Sequence, residues 1–134
     1  MLYYEIASVA HAANMGLQAL AGEDVSPPWE ALDTGIQESV EDGVLTVLEN
    51  PGITPKQIHE NWVNFKKSQG WIWGWDKDPA KKTHPLIKEW GALSPVDKHK
   101  DMLFVAIVNA LKENTYDDPN LLSRHRNDFT STRS

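Results

Sequence analysis

One short stretch of the chain concentrates residues that could bind a ligand. Residues 70–85, GWIWGWDKDPAKKTHP, place three tryptophans at alternate positions, followed by lysines and a His-Pro pair. Indole rings offer flat apolar faces, and lysine offers a charge that pairs strongly with phosphate oxygens. The combination favours a ligand that is both flat and anionic, such as a nucleotide. Trp71, Trp73, Lys82 and His84 are therefore candidate binding residues.

The same stretch also has a purely structural interpretation. Alternating aromatic residues predict a short strand, and the Gly, Asp and Pro residues around them predict a turn. Residues 70–85 would then form a Trp-rich β-hairpin that caps a small core, with Lys82 solvated and His84 fixing the chain at Pro85. The sequence leaves both interpretations open.

No catalytic motif is present in the sequence. There is no phosphate-binding glycine loop, no nucleophile elbow and no cysteine. A hydrolase would need a base together with a metal or an activated nucleophile, and only His11, His59 and Asp101 could be arranged in that way. His59 has no second histidine four residues later, so a zincin helix is excluded. We therefore predict a protein that is not an enzyme and has no cofactor or metal site.

Composition and charge narrow the possible partners. The 134 residues suit one domain, and the chain has no basic leader and no apolar run long enough to span a membrane, so we expect a cytoplasmic protein. The net charge is −6, yet residues 1–55 hold nine acids and no lysine or arginine, whereas residues 56–134 hold all thirteen basic residues. This balance argues against extended nucleic acid as a partner and allows a small anion bound by the second half.

Hydrophobic periodicity and capping residues predict four helices. They run over residues 3–20, from 33 or 34 to about 49, from 55 to about 69 and from 95 to about 112. In the first helix, the residues expected to face the core are Tyr3, Ile6, Ala10, Ala13, Leu17 and Leu20. In the fourth helix, they are Leu103, Ala106, Ile107, Ala110 and Leu111.

Comparison of the chain with itself predicts two related halves. A shift of 48 residues places His11 on His59, and a shift of 61 places Trp29 on Trp90. The difference of 13 residues is accommodated by an insertion at residues 71–83. Two helix–loop–helix halves of this kind usually pack about a pseudo-two-fold axis.

The repeat brings candidate site residues from both halves into one cleft. His11 and Asn14 of the first half would face His59 and Trp62 of the second half. The two histidines could line the cleft, or they could be buried residues that tie helices to loops. Trp62 could likewise pack in the core or stack against a ligand.

Several motifs, in order and with matching spacing, resemble the RyR domain, the repeat named after ryanodine receptors. This domain also occurs as small stand-alone proteins in bacteria and their viruses. The resemblance covers about residues 3–111. The motifs that carry it are Tyr4-Glu5-Ile6-Ala7 with His11 and Asn14, Pro27-Pro28-Trp29-Glu30, His59-Glu60-Asn61-Trp62, Gly70-Trp71 with Gly74, Lys77-Asp78, Lys82-Thr83-His84-Pro85, and Lys100-Asp101-Met102-Leu103-Phe104.

The resemblance implies a mainly α fold with two pseudo-symmetric antiparallel helix pairs and a small hairpin. It also implies an adenine-nucleotide ligand in the cleft, with the base held between aromatic residues of the two His-x-x-Trp motifs. Trp62 matches this pattern, whereas Asn14 stands where the first half would supply its tryptophan. Asn14 could instead bond to a base edge or ribose, with another aromatic face from Trp29, Trp71 or Trp73.

The remaining candidate contacts are polar. Lys82 and His84 are the expected phosphate contacts, because lysine–phosphate bonds are charge-assisted. Asp101 is expected in the early part of the last helix, where it could complement the helix dipole or hold Lys82 or His84 in position.

We therefore expect an RyR-like domain over residues 1–113, followed by a polar tail over residues 114–134. The expected function is non-enzymatic binding of an adenine-nucleotide-derived signal, such as cyclic ADP-ribose or a cyclic nucleotide. In a phage setting, the protein would sequester such an immune messenger in the host cytoplasm. The alternatives are a protein-interaction module that uses exposed tryptophans, or a hydrolase of the same signal. Homo-oligomer formation is left open.

Overall fold

In the computed structural model, which describes residues 1–114, four helices and one small sheet account for most of the chain. The helices are α1 (Tyr3–Leu20), α2 (Thr34–Glu49), α3 (Pro55–Ser68) and α4 (Pro95–Leu111), and the strands are β1 (Ile72–Trp73) and β2 (Thr83–His84). This confirms the predicted mainly helical class with four helices. Apart from Asn114, the predicted tail lies outside the described residues.

The starts of α3 and α4 follow directly from their capping residues. At α3, the Thr54 hydroxyl accepts the Gln57 N–H at 3.2 Å, and the Gln57 side chain accepts the Thr54 N–H at 2.9 Å. At α4, the Ser94 hydroxyl accepts the Asp97 N–H at 3.1 Å. A proline in the first turn of each helix has no N–H to satisfy. Both predicted starts are confirmed.

The core is formed by residues from all four helices, with α1 and α4 packed against each other and against α2. Its buried members are Ile6, Ala7, Val44, Val47, Ile58, Val105 and Val108.

Two predicted faces were partly wrong. Leu20 is 84 % exposed in the last turn of α1, and in α4 the buried residues are Val105 and Val108, while Ala106 and Ala110 are exposed. The reason is that α4 contacts three other helices, so tertiary packing rather than the longest apolar stripe selects its buried face.

The small sheet differs from the predicted hairpin in strand direction. β1 and β2 pair in parallel, with Ile72 opposite Thr83 and Trp73 opposite His84. The Ile72 N–H donates to the Lys82 carbonyl at 2.9 Å. The intervening loop, residues 74–82, carries the chain back to the start of β1, and Lys82 adopts a positive φ of 55° where the loop enters β2.

Close approach of the two strands requires a glycine at position 74. A Cβ built on Gly74 would lie 2.5 Å from the Cβ of Thr83, which is shorter than real side chains tolerate. Because Thr83 is β-branched and its hydroxyl donates to the Asp76 carbonyl at 2.9 Å, it cannot move aside without breaking the loop. Gly74 therefore sets the spacing of the sheet.

Gly74→Ala is expected to lower the free energy of unfolding by roughly 1–3 kcal/mol, because the two strands must separate. The control is Gly16→Ala in α1, where nothing lies within 4 Å of the new Cβ. That change should raise stability by roughly 0.5–1 kcal/mol, since alanine favours helix. Urea denaturation of both variants measures the two effects, and equal effects would contradict the close approach.

Val108→Ala tests the corrected face of α4. Val108 is fully buried in the core, so the substitution should cost roughly 1–3 kcal/mol of unfolding free energy. Val9→Ala, at a position that is 39 % exposed, should change stability by less than about 0.5 kcal/mol. If thermal or urea unfolding ranked the two variants in the reverse order, the assigned core would be wrong.

Candidate ligand-binding cavity

A cavity of about 400 Å³ lies between the four helices and the loop that follows β1. Its volume falls within the range of small-molecule sites. α3 contributes residues spaced by three and four, which share one face of the helix. These residues are Ile58, Asn61, Trp62, Phe65, Lys66 and Gln69.

Aromatic side chains form much of the wall, among them Trp62, Phe65, Trp71 and Phe104. Trp62 is half-buried and borders the cavity, so its indole is not sealed in the core. The imidazole of His59 lies against it, with ring centroids 5.9 Å apart and planes inclined by 30°. Flat apolar walls of this kind suit a planar ring.

Lys66 and Lys77 bring positive charge to the cavity, whose lining also includes Asp33, Asp42 and Asp101. Lys66 is only 8 % exposed, and its ammonium lies 4.9 Å from the centre of the Trp71 ring. Lys77, from the loop after β1, lines the same cavity. Within residues 1–114, neither ammonium forms an ion pair with a carboxylate.

The environment of Lys66 disfavours its charged form. Burial lowers the pKa of Lys66, and the positive charge of Lys77 lowers it further. Lys100, also in the cavity wall, differs because its ammonium contacts Glu23 at 2.7 Å and Asp97 at 3.1 Å. Lys66 and Lys77 therefore differ from Lys100 in having no carboxylate partner in the described part of the chain.

His84 borders the cavity as a neutral side chain. Its Nδ1 accepts the Leu86 N–H at 3.1 Å, so the ring hydrogen is on Nε2. Burial lowers the pKa of His84 to about 4, with a further contribution from the charges of Lys77 and Lys66. Near pH 7 this histidine can donate a hydrogen bond, but it does not supply a positive charge.

Asp101 lies in the cavity wall beside His59. His59 Nε2–H donates to the Lys88 carbonyl at 2.7 Å, and its Nδ1 lies 3.6 Å from Asp101 Oδ2. Burial, with the nearby charge of Asp97, raises the pKa of Asp101 to about 7. Asp101 is therefore partly protonated near neutral pH, which limits its negative charge next to the lysines.

The two matched histidines make corresponding contacts. His11 Nε2–H donates to the Pro27 carbonyl at 2.7 Å, and its ring lies 6.0 Å from that of Trp29. His59, which donates to Lys88, lies 6.1 Å from Trp90. Both histidines tie a helix to a later loop, as one of the two sequence interpretations proposed. A pseudo-two-fold axis relating the halves stays a prediction.

The structure brings together six of the ten residues proposed from sequence. The residues that border the cavity are His11, Asn14, Trp62, Trp71, His84 and Asp101. They come from α1, α3, β2, α4 and the residue before β1, so only the tertiary fold makes them neighbours.

Four predicted site residues do not border the cavity. His59 lies behind Trp62, and Trp29 packs against His11. Trp73 is 43 % exposed and contacts Trp75, with ring centroids 4.9 Å apart.

The fourth is Lys82, whose ammonium donates to the Gln69 carbonyl at 2.9 Å. It thereby caps the end of α3. No contact of Lys82 supports the predicted phosphate role.

Sequence reasoning did not select Asn61, Lys66 or Lys77 as site residues. Lys66 follows Trp62 by four residues, a spacing that places both on one helix face. That spacing could have identified it. Lys77 reaches the cavity only because the loop after β1 returns the chain to form a parallel pair, which the sequence did not predict.

The pKa shifts of Asp101 and His84 oppose each other in the pH dependence of stability. Folded Asp101 keeps a proton that the unfolded chain loses above pH 3.8, so stability falls as pH rises to about 7. Folded His84 stays neutral where the unfolded chain binds a proton, so stability rises as pH increases from about 4 to 6.5.

Asp101→Asn should remove the loss of stability that Asp101 causes as pH rises. The gain of stability that His84 causes should remain. The variant is expected to match the wild type near pH 3.5 and to exceed it at pH 8 by roughly 2–4 kcal/mol of unfolding free energy. Urea denaturation from pH 3.5 to 8 measures the difference. The exposed Asp24→Asn is the control and should leave the profile unchanged. A pH-independent difference for Asp101→Asn would contradict the assigned shift.

Within the described part of the chain, no group of three or more histidine or acidic side chains is placed to hold a metal ion. In residues 1–114 no helix has both the length and the apolar character needed to cross a membrane.

A known protein family matches part of the chain. The family model of the RyR domain matches residues 53–116, which include α3, the two-stranded sheet and α4. The walls of the cavity that come from α1 and α2 lie outside the match. No curated protein and no solved structure shows significant similarity to the chain. Residues 53–116 of the chain thus match the RyR domain family, as the sequence motifs indicated.

Proposed function

We propose that the protein binds, without altering it, a small molecule that combines a flat heterocycle with an anionic group, of the adenine-nucleotide type. The observation that carries the proposal is the ammonium of Lys66. It is almost fully buried, lies over Trp71 and has no carboxylate partner in the described residues.

A buried charge without a counterion is costly, and an anion in the cavity would offset that cost. Phosphate oxygens would form charge-assisted hydrogen bonds with Lys66, and Lys77 would add a second positive charge. A bound anion would also favour the charged form of Lys66, reversing the effect of burial on its pKa.

The aromatic walls supply the second half of the recognition. Stacking of a base on an aromatic side chain contributes roughly 1–3 kcal/mol. Trp62 and Phe65 on α3 border the cavity, and so does Trp71, which follows the end of α3. A ligand with both a heterocycle and a phosphate uses the rings and the ammonium groups together, whereas inorganic phosphate uses only the charges.

The contacts of His84 favour binding over turnover. Its Nδ1 already accepts a backbone N–H and its Nε2 carries the ring hydrogen, so the ring has no free lone pair. A general base needs a free lone pair aimed at the proton that it removes. Sequestration of a signalling nucleotide in a host cytoplasm, as in phage evasion of immunity, is the narrower form of the proposal.

A hydrolase of the same nucleotide is distinguished by recovering the ligand. After incubation with adenosine 5′-monophosphate or a cyclic adenine nucleotide, heat release should return the compound unchanged. A new product in chromatography would favour the hydrolase.

The protein-interaction alternative is supported by a different surface, formed by Ile72, Trp73 and Trp75, whose side chains are 62 %, 43 % and 85 % exposed. Because this surface lies outside the cavity, Trp75→Ala should leave nucleotide binding unchanged. Loss of nucleotide binding in this variant would place recognition on the exposed surface instead.

Lys66→Met is the sharpest test of the anion site. Methionine keeps the length of the side chain and its packing against Trp71 but removes the charge. Affinity for adenosine 5′-monophosphate should fall roughly 10- to 150-fold, as expected for one charge-assisted contact. The free energy of unfolding without ligand should stay equal or rise, because a buried unpaired charge is lost.

Lys67→Met is the matched control. Lys67 is the next residue of α3, is exposed and does not border the cavity, so its loss should change affinity less than about threefold. Isothermal titration calorimetry measures both variants against a panel of adenine nucleotides and their cyclic forms. Equal effects at the two lysines, or no binding by the wild type below millimolar concentration, would overturn the proposal.

A further inference from the structure

Two asparagine side chains in the cavity wall have no hydrogen-bond partner among the described residues. Asn14 on α1 and Asn61 on α3 both border the cavity and are half-buried. Over residues 1–114, neither side-chain amide takes part in a hydrogen bond. Since each amide borders the cavity and forms no hydrogen bond within these residues, it is available to bond to a ligand in the cavity.

The two histidines of the wall, in contrast, already have hydrogen-bond partners within the protein. His84 accepts a hydrogen bond from Leu86 N–H, and His11 donates one to the Pro27 carbonyl. The amides differ because both their carbonyl oxygens and their N–H groups are available to a ligand.

The amide of Asn61 and the ammonium of Lys66 belong to different turns of α3. Asn61 precedes Lys66 by five residues, which is about 7.5 Å along the axis of α3. Lys77 lies in the loop after β1, and β1 itself starts just after the end of α3. A ligand whose anionic group is held by the lysines would extend its ring past Trp62 toward the amides.

We infer that Asn14 and Asn61 recognise the polar edge of the bound heterocycle, and that they select a ring with an exocyclic amino group beside an acceptor nitrogen, as in adenine. This inference rests on the proposed function and specifies its ligand class. A carboxamide presents an acceptor next to a donor, which is complementary to an amino N–H next to a ring nitrogen.

The test compares two nucleotides that differ in one group. Adenosine 5′-monophosphate and purine riboside 5′-monophosphate share the phosphate, the ribose and the flat ring, but the second has hydrogen in place of the amino group. Calorimetry of the wild type should show that the adenine nucleotide binds about 5- to 150-fold more tightly. The Asn14→Ala, Asn61→Ala double variant should bring this ratio close to one.

Asn64→Ala provides the control on the same helix. Asn64 is exposed and does not border the cavity, so this variant should keep the wild-type ratio. Asn61→Asp is a second variant of unchanged size that replaces the amide donor with an acceptor. It should also reduce the ratio, and thermal unfolding confirms that each variant is folded.

The outcomes separate this inference from the proposed function. If the wild type binds both nucleotides equally, or if the double variant weakens both by the same factor, the amides do not read the amino group. The inference is then overturned while nucleotide binding stands. If neither nucleotide binds the wild type, the proposed function fails and the inference fails with it.

Discussion

The central constraint is the ammonium of Lys66, which lies over the Trp71 ring and has no carboxylate partner among residues 1–114. A fold selected only for stability would place an apolar side chain or an ion pair there. Within residues 1–114 no carboxylate is paired with this ammonium: Lys77 adds like charge, Asp101 is partly protonated near pH 7, and Asp33 and Asp42 line the cavity without an ion pair to Lys66. The cavity thus keeps a local free-energy cost that an anionic ligand would remove.

The rest of the architecture positions this charge. Capping at Thr54 fixes where α3 begins and therefore which of its side chains face the cavity. Lys82 caps the end of α3, and the close contact of Gly74 with Thr83 holds the returning loop that carries Lys77. The His59 ring packs against Trp62, and His59 itself does not border the cavity. His59 and Lys82, which the sequence suggested as ligand contacts, thus support the residues that border the cavity.

The sequence predicted what local rules determine. Caps and periodicity located all four helices, and self-comparison paired His11 with His59, which make corresponding contacts. It did not predict the parallel sheet, because two-residue strands carry little pattern and the direction of pairing depends on the loop. For the same reason, the sequence selected Lys82 rather than Lys77 as the lysine that borders the cavity. The choice among cationic side chains depends on burial, which is a property of the tertiary fold.

A crystal structure of the protein soaked with adenosine 5′-monophosphate tests the central claim most directly. The account predicts a phosphate oxygen within hydrogen-bond distance of Lys66 Nζ, and the base inside the cavity against Trp62. Density for the nucleotide on the exposed Trp73 and Trp75 rings, or a cavity that stays free of nucleotide at saturating concentration, would contradict it.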